Sequence, residues 1–209
     1  MTARPAERGR ETEQRVTAVA DGMRDEYARH PRGAAGWYTD HGATYRNPHE
    51  DAVAAMVTLA VRDQPEWFER GRVLDLASGS GEVTLALRYA GVDASRIDAA
   101  DPFTGAAYLA RTGVVAEPWS FADIAQGASD GRQWRTVVCS YGLHLCEPSW
   151  LATVCMQLAI GAENLVVITP HKRPAIEPGW GWTAVGEHRD PVWRVRLRCY
   201  SSSYSRSSS

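Results

Sequence analysis

The stretch from Gly71 to Leu87, GRVLDLASGSGEVTLAL, restricts the possible folds more than any other part of the sequence. Its VLDL segment is typical of a buried strand in a parallel sheet, and the EVTLALRYA that follows has the apolar spacing of a helix. The small residues between them, Ala77 to Gly81, allow a tight turn in which a ligand can approach the backbone. Free N–H groups at the start of the helix add to that surface. The stretch therefore predicts a strand, a ligand-binding loop and a helix, in that order.

The acidic residue in this stretch indicates which ligand the loop binds. A nicotinamide-binding loop has the pattern GxGxxG, whereas Thr84 stands where its third glycine would be. Asp75 instead precedes Gly79 and Gly81 to give DxxxGxG, which resembles the first motif of class I S-adenosylmethionine (SAM) dependent methyltransferases, with alanine in place of that family's first glycine. The resemblance implies that SAM is the cofactor and that the loop contacts its methionine end. The loop residues concerned are Asp75, Ala77, Ser78, Gly79 and Gly81.

Three later segments resemble further motifs of the same family, in the order in which the family has them. Asp101, followed by Pro102, ends the predicted strand RIDAAD, where the family places an acid that binds the ribose hydroxyls. In the third motif, the resemblance implies that Asp123 meets the adenine amino group and that Ile124 packs on the ring. The fourth, TVVCSYGLHL, resembles the strand that borders both the methyl donor and its acceptor, and it places Ser140 beside the methionine end.

Three side chains are candidates for a role at the methyl acceptor. His144 follows the predicted fourth strand, where it either takes the acceptor's proton as a general base or only shapes the pocket. Tyr45 lies in an aperiodic, glycine- and aromatic-rich segment and is the first choice for a residue that closes over the methyl donor. His49 is the third candidate. The residues around it also match the start of a helix, a purely structural role: Asn47, Pro48 and Glu50.

The alternation of apolar runs and helical patterns predicts an α/β fold with a doubly wound, mostly parallel sheet. The family resemblance implies seven strands, the last two forming an antiparallel C-terminal hairpin from WTAVGEH and VWRVRLRCY. The helix usual after the fifth strand is expected to be shortened or missing, because HKRPAIEPGWGW is rich in proline and glycine. Strands are predicted near 72–76, 96–100, 115–119, 136–141 and 164–169, and helices near 82–90, 104–111 and 148–160.

We expect the 209 residues to form one domain. Residues 1–65 would be a helical lid and substrate cap, with an amphipathic helix from Val16 to Tyr27; residues 66–200 would be the SAM-binding core, and 201–209 a flexible serine-rich tail. The four cysteines and six histidines lack metal-ligand spacing, so no metal site is predicted.

Composition favours a soluble protein without a nucleic-acid partner. The net charge of −2 gives no general attraction to nucleic acid or to an anionic membrane. No apolar run is long enough to span a bilayer, and the N-terminus lacks an apolar signal core, so a cytoplasmic location is expected.

These features predict methyl transfer from SAM to an oxygen or nitrogen atom of a small molecule, by a monomer or a homodimer. Two alternatives stay open. The alternating Arg194, Arg196 and Arg198 could bind an RNA or protein substrate, and a SAM-binding protein that transfers no methyl group fits the same motifs. The basic residues 171–173 after the fifth strand either contact an acidic substrate or form a solvated turn.

Overall fold

A computed structural model describes residue 26 and residues 29–204 of the chain. Apart from Glu26, the predicted N-terminal helix from Val16 to Tyr27 lies outside or at the edge of these residues, and so does the end of the serine-rich tail. None of the described helices combines the length and the apolar character that crossing a bilayer requires.

Six strands of the described chain form one mixed sheet, in the order β2-β1-β3-β4-β6-β5. The strands β1 to β4 pair in parallel, while β6 is antiparallel to both β4 and β5. This arrangement confirms an α/β fold that ends in an antiparallel hairpin. The strands are β1 (Val73–Leu76), β2 (Ile97–Ala100), β3 (Trp134–Ser140), β4 (Ala162–Thr169), β5 (Trp182–Arg189) and β6 (Arg196–Ser202).

Helices cover both faces of this sheet. Alternate strand residues face opposite sides, so that Leu74 packs with Val154 of α6 in one apolar cluster, and Val73 packs with Val57 of α2 in the other. Both layers are therefore built from the apolar runs that the sequence shows. The helices are α1 (Gly33–His41), α2 (Glu50–Asp63), α3 (Glu82–Tyr89), α4 (Gly105–Thr112), α5 (Phe121–Ala125) and α6 (Pro148–Gly161).

The strand predicted near 115–119 is reduced to a single bridge beside β2. The N–H of Glu117 donates to Ala99 O at 2.8 Å, and Glu117 O accepts from the N–H of Asp101 at 2.9 Å. Pro118 comes next and has no N–H with which to continue the ladder. Residues 115–119 therefore protect the edge of β2 without forming a strand.

The segment before the core also differs from the expected aperiodic loop. It forms α1, followed by a 3₁₀ turn over Gly42–Thr44, and α2 begins at Glu50 rather than at Pro48. Asn47 Oδ1 accepts from the N–H of His49 at 2.9 Å, so Asn47 stabilises a turn ahead of the helix instead of capping it. Residues 170–181, expected to hold no more than a turn or two, are turns and bends.

Candidate functional site

A cavity of about 300 Å³ opens at the carboxyl ends of β1, β2 and β3. The segments after these strands, residues 77–79, 101–103 and 140–142, line it, and Tyr38 and Tyr45 line it from the N-terminal segment. Open α/β sheets bind ligands at this place, and the volume is within the range of ligand pockets. The cavity is therefore the candidate site.

The glycine loop takes its shape from three left-handed residues at alternate positions. Gly79 has φ +55°, Gly81 has φ +92°, and Ala77 has φ +55° where the family pattern has glycine. At Gly81 a Cβ would lie only 2.6 Å from Thr112 Cγ2 of α4. Ala77 and Gly79 line the cavity, but Gly81 does not. The structure thus gives Gly81 a packing role against α4, and its predicted cofactor contact stays a prediction.

Asp101 fixes the glycine loop against the end of β2. Its Oδ2 accepts a hydrogen bond from the N–H of Gly79 at 3.1 Å. Its Oδ1 accepts from the N–H groups of Phe103 and Thr104 at 2.9 and 3.0 Å. These bonds hold the carboxylate predicted for the ribose at the cavity wall, next to Pro102, which also lines the cavity.

Asp75 combines a structural and an electrostatic role. Its Oδ2 accepts from the N–H of Thr84 at 3.0 Å and from the Thr84 hydroxyl at 2.7 Å, which ties the end of β1 to the first turn of α3. Burial raises the pKa of Asp75 to about 8, against the hydrogen bonds from Thr84, which lower it. A cationic group bound in the cavity would favour the ionised carboxylate.

Three buried hydroxyl groups belong to residues of the cavity wall and have no hydrogen-bond partner in the described part of the chain. They are Ser78 Oγ, Ser140 Oγ and the phenol oxygen of Tyr141. A buried hydroxyl left without a partner costs about 1–3 kcal/mol, so a polar ligand group is expected to satisfy it. The residues present therefore fit the amino-acid end of SAM, which offers a carboxylate and an ammonium group.

The sequence missed an ion-pair network beside the loop. Glu82 lines the cavity and is buried, and Arg111 Nη1 donates to its Oε1 at 2.6 Å. Arg111 Nη2 also donates to Glu50 Oε1, and the Ser80 hydroxyl donates to Glu82. The network thereby joins α2, α3 and α4. Glu82 follows the glycine loop directly, which was a usable signal, whereas the sequence around Arg111 contains none.

The two residues predicted for the adenine ring do not line the cavity. Asp123 Oδ2 accepts from the N–H of Ser120 at 2.8 Å and from its hydroxyl at 2.6 Å, in a capping box at the start of α5. Ile124 is fully buried in the core. The aromatic neighbours Trp119 and Phe121 line the cavity instead. Helix capping and core packing thus engage both side chains, and their predicted adenine contacts stay a prediction.

Tyr45 is the one predicted catalytic residue that lines the cavity among the described residues. Its ring lies over the glycine loop, with Cε1 3.3 Å from where a Cβ of Gly79 would be. Tyr38 packs edge-on against it, with ring centroids 5.2 Å apart, and stacks on Phe103 at 6.1 Å. Gly42 allows this approach, because a Cβ there would lie 2.4 Å from Phe103 O. The N-terminal segment therefore closes one side of the cavity with aromatic rings.

The predicted histidines lie outside the cavity wall. His49 stacks on Tyr141, with ring centroids 4.8 Å apart and the planes 13° from parallel. Burial lowers the pKa of His49, so the ring is neutral near pH 7. His144 lies against His171, with ring centroids 4.5 Å apart. Reaching a ligand in the cavity would require either side chain to move.

The C-terminal basic residues are used within the fold. Arg196 and Arg198 both pair with Glu187 of β5, the latter through Nε at 2.9 Å. Arg198 is buried and also donates to the carbonyl oxygens of Lys172 and Pro174. Residues 171–173 do not line the cavity. Arg196 and Arg198 of the predicted basic face are thus engaged within the fold, whereas Arg194 is exposed, and the predicted contact of residues 171–173 with an acidic substrate finds no support.

Comparison with known proteins gives one clear relative and many proteins of the same fold. No protein family model matches the chain. The chain is 33% identical over 201 residues to an uncharacterised protein of Schizosaccharomyces pombe. The match covers 78% of this chain and 80% of that protein.

Two solved structures illustrate the shared fold. Magnesium protoporphyrin IX methyltransferase from Synechocystis PCC 6803 with bound SAM has a TM-score of 0.53 and 20% identity, over 90% of this chain and 97% of that one. The N-methyltransferase NodS from Bradyrhizobium japonicum, in complex with S-adenosyl-L-homocysteine (SAH), has a TM-score of 0.57 and 14% identity, over 87% of this chain and 98% of that one.

The sheet order and these structures show that the chain has the Rossmann-like α/β fold that the two methyltransferases share. By sequence, the chain belongs to the same family as the fission yeast protein.

Proposed function

We propose that the protein binds SAM in the cavity and transfers its methyl group to an oxygen or nitrogen atom of a small molecule. The observation that carries this proposal is the set of polar groups at the carboxyl ends of β1 to β3. It combines two carboxyl groups, Asp75 and Asp101, with the unpartnered hydroxyls of Ser78 and Ser140. Residues 1–65 would form the substrate cap and 66–200 the SAM-binding core of one cytoplasmic domain.

The proposed methyl transfer requires no covalent bond between the protein and either reactant. Bound SAM would supply a methyl group on a positively charged sulfur. The acceptor atom would attack the methyl carbon in line, and the sulfur would leave as part of SAH. The protein's part is to position both reactants and to exclude water. Tyr38 and Tyr45 close one side of the cavity, and the acidic groups of Asp75 and Asp101 complement the positive charge of the donor. Since no histidine lines the described cavity wall, positioning supports this proposal better than general-base catalysis does.

The enclosure of the cavity favours a small acceptor, because the aromatic rings of the N-terminal segment close one side of it. Two of the three C-terminal arginines that could have bound RNA, Arg196 and Arg198, are paired with Glu187 or hydrogen-bonded inside the fold. We therefore prefer a small molecule over a macromolecular substrate.

Calorimetry with SAM and SAH tests the proposal. Both are expected to bind, and Asp101→Asn is expected to weaken binding at least tenfold, about 1.4 kcal/mol, because a charged hydrogen bond to the ribose is lost. Asp130→Asn is the matched control, since this aspartate is exposed and outside the cavity wall. Melting curves confirm that both variants are folded. The proposal fails if neither compound binds, or if folded Asp101→Asn binds like the original protein.

A further inference from the structure

The charged side chains of the cavity wall all have the same sign. They are Asp75, Glu82, Asp101 and Glu147, and within the described part of the chain no lysine, arginine or histidine joins them. Arg111 compensates Glu82 from behind the wall, while Asp75 and Asp101 are nearly inaccessible and belong to the proposed SAM site. Glu147 is the one acid of the wall that these assignments do not use.

The side chain of Glu147 has no capping or ion-pairing role in the described part of the molecule. It stands immediately before α6, but its side chain makes no capping hydrogen bond. The ion pairs of the structure do not include its carboxylate either. The residue is exposed, so its carboxylate is accessible to a ligand at the cavity.

Apolar side chains share the cavity wall with this carboxylate. Phe103, Leu145 and Trp150 all line the cavity and are 38%, 39% and 38% exposed. Trp150 lies in the first turn of α6, where its N–H donates to Glu147 O at 2.9 Å, so the two residues are neighbours in the wall. Exposed apolar residues grouped on one wall mark a binding surface, and an aromatic ring near a carboxylate suits a cation.

We infer that the methyl acceptor of the proposed reaction is a planar aromatic molecule that carries a positive charge. Glu147 pairs with the charge and Trp150 stacks on the ring, whereas carboxylate and phosphate acceptors are disfavoured by the like charges of the wall. The methylated atom is a different, neutral oxygen or nitrogen, because a protonated amine has no lone pair to offer. This inference rests on the proposed function and extends it to the class of substrate.

Two indole compounds of opposite charge test the inference. Tryptamine and indole-3-acetate share a ring, and each is titrated by calorimetry into protein saturated with SAH. Tryptamine is expected to bind about tenfold more tightly. Glu147→Gln should remove that preference, and Trp150→Ala should weaken tryptamine binding. Glu177→Gln is the control, because this exposed glutamate lies outside the cavity and should leave the preference unchanged.

The affinity for SAH, measured first, separates this inference from the proposed function. If SAH fails to bind, the proposed function fails and the inference falls with it. If SAH binds but tryptamine does not, or if indole-3-acetate binds as tightly, the inference is overturned and the proposed function stands. A preference for tryptamine that survives in Glu147→Gln overturns the role of Glu147.

Discussion

Replacing Gly81 with alanine tests whether the shape of the glycine loop depends on close packing against α4. Gly81 has φ +92°, and a Cβ there would lie 2.6 Å from Thr112 Cγ2 and 3.3 Å from Tyr108 Cδ2. Holding alanine in a left-handed conformation costs about 1–2 kcal/mol. Forcing a methyl group into a filled contact costs about 1–3 kcal/mol more. The free energy of unfolding should therefore fall by about 2–5 kcal/mol in total.

A second glycine at the other end of α3 separates these two costs. Gly91 has φ +93°, but a Cβ there would meet nothing within 4 Å. Gly91→Ala should therefore lower the free energy of unfolding by the conformational cost alone, about 1–2 kcal/mol. Thr112→Ser removes the clashing Cγ2 and keeps the hydroxyl that donates to Tyr108 O. The double variant of Gly81→Ala with Thr112→Ser should recover most of the difference.

Urea denaturation followed by tryptophan fluorescence measures all four variants. Gly91→Ala is expected to be more stable than Gly81→Ala. The loss caused by Gly81→Ala is expected to be smaller when it is introduced into Thr112→Ser than when it is introduced into the original protein. Equal losses at the two glycines would refute the packing argument. The packing argument would also be refuted if Gly81→Ala lowered the free energy of unfolding equally whether residue 112 is serine or threonine.

Further predictions concern the buried charges. Arg111→Met should lower the free energy of unfolding by about 3–5 kcal/mol, because it leaves the buried Glu82 carboxylate unpaired. Arg132→Met is the control: the arginine side chain there is 47% exposed, and its replacement should cost less than about 1 kcal/mol. Similar losses for the two variants in urea denaturation would contradict the ion-pair network. The folded-state pKa of Asp75, about 8, lies above its ordinary value of 3.8, so its protonated form stabilises the ligand-free protein at low pH, and that stability is lost as the pH rises from about 4 to about 8. Asp75→Asn should remove this part of the pH dependence. For the same reason SAM binding at pH 7 should release up to about one proton, seen as a binding enthalpy that varies with the buffer, and an unchanged release in Asp75→Asn would exclude Asp75 as its source.

Local patterns in the sequence were enough to predict the elements that build the site. The strand predicted over 72–76 is Val73–Leu76, and the helix predicted over 82–90 is Glu82–Tyr89. Both depend on the spacing of apolar residues and on glycines at turns, which act within a few positions of the chain. The cavity positions of Asp75, Asp101 and Ser140 follow from them, since each lies in or directly after a parallel strand.

The sequence was less informative where a residue fits two local roles or where distant residues decide the structure. Asp123 matches a binding motif, and in the structure its carboxylate also accepts hydrogen bonds from the hydroxyl and the N–H of Ser120. The helix α1 has little apolar periodicity, and distant packing supports it, since Tyr38 lies against Tyr45 and Phe103. No pattern in the sequence near Tyr38 predicts its contact with Phe103.

The sequence by itself determined the fold class and the glycine loop, because these depend on residues close together in the chain. Only the tertiary structure decided which charges face the cavity. Arg111 reaches Glu82 from 29 positions away and Glu50 from 61, while Glu147 has no such partner. Charge compensation depends on how α2, α3 and α4 pack together, since a Coulomb interaction follows distance in space and not separation along the chain.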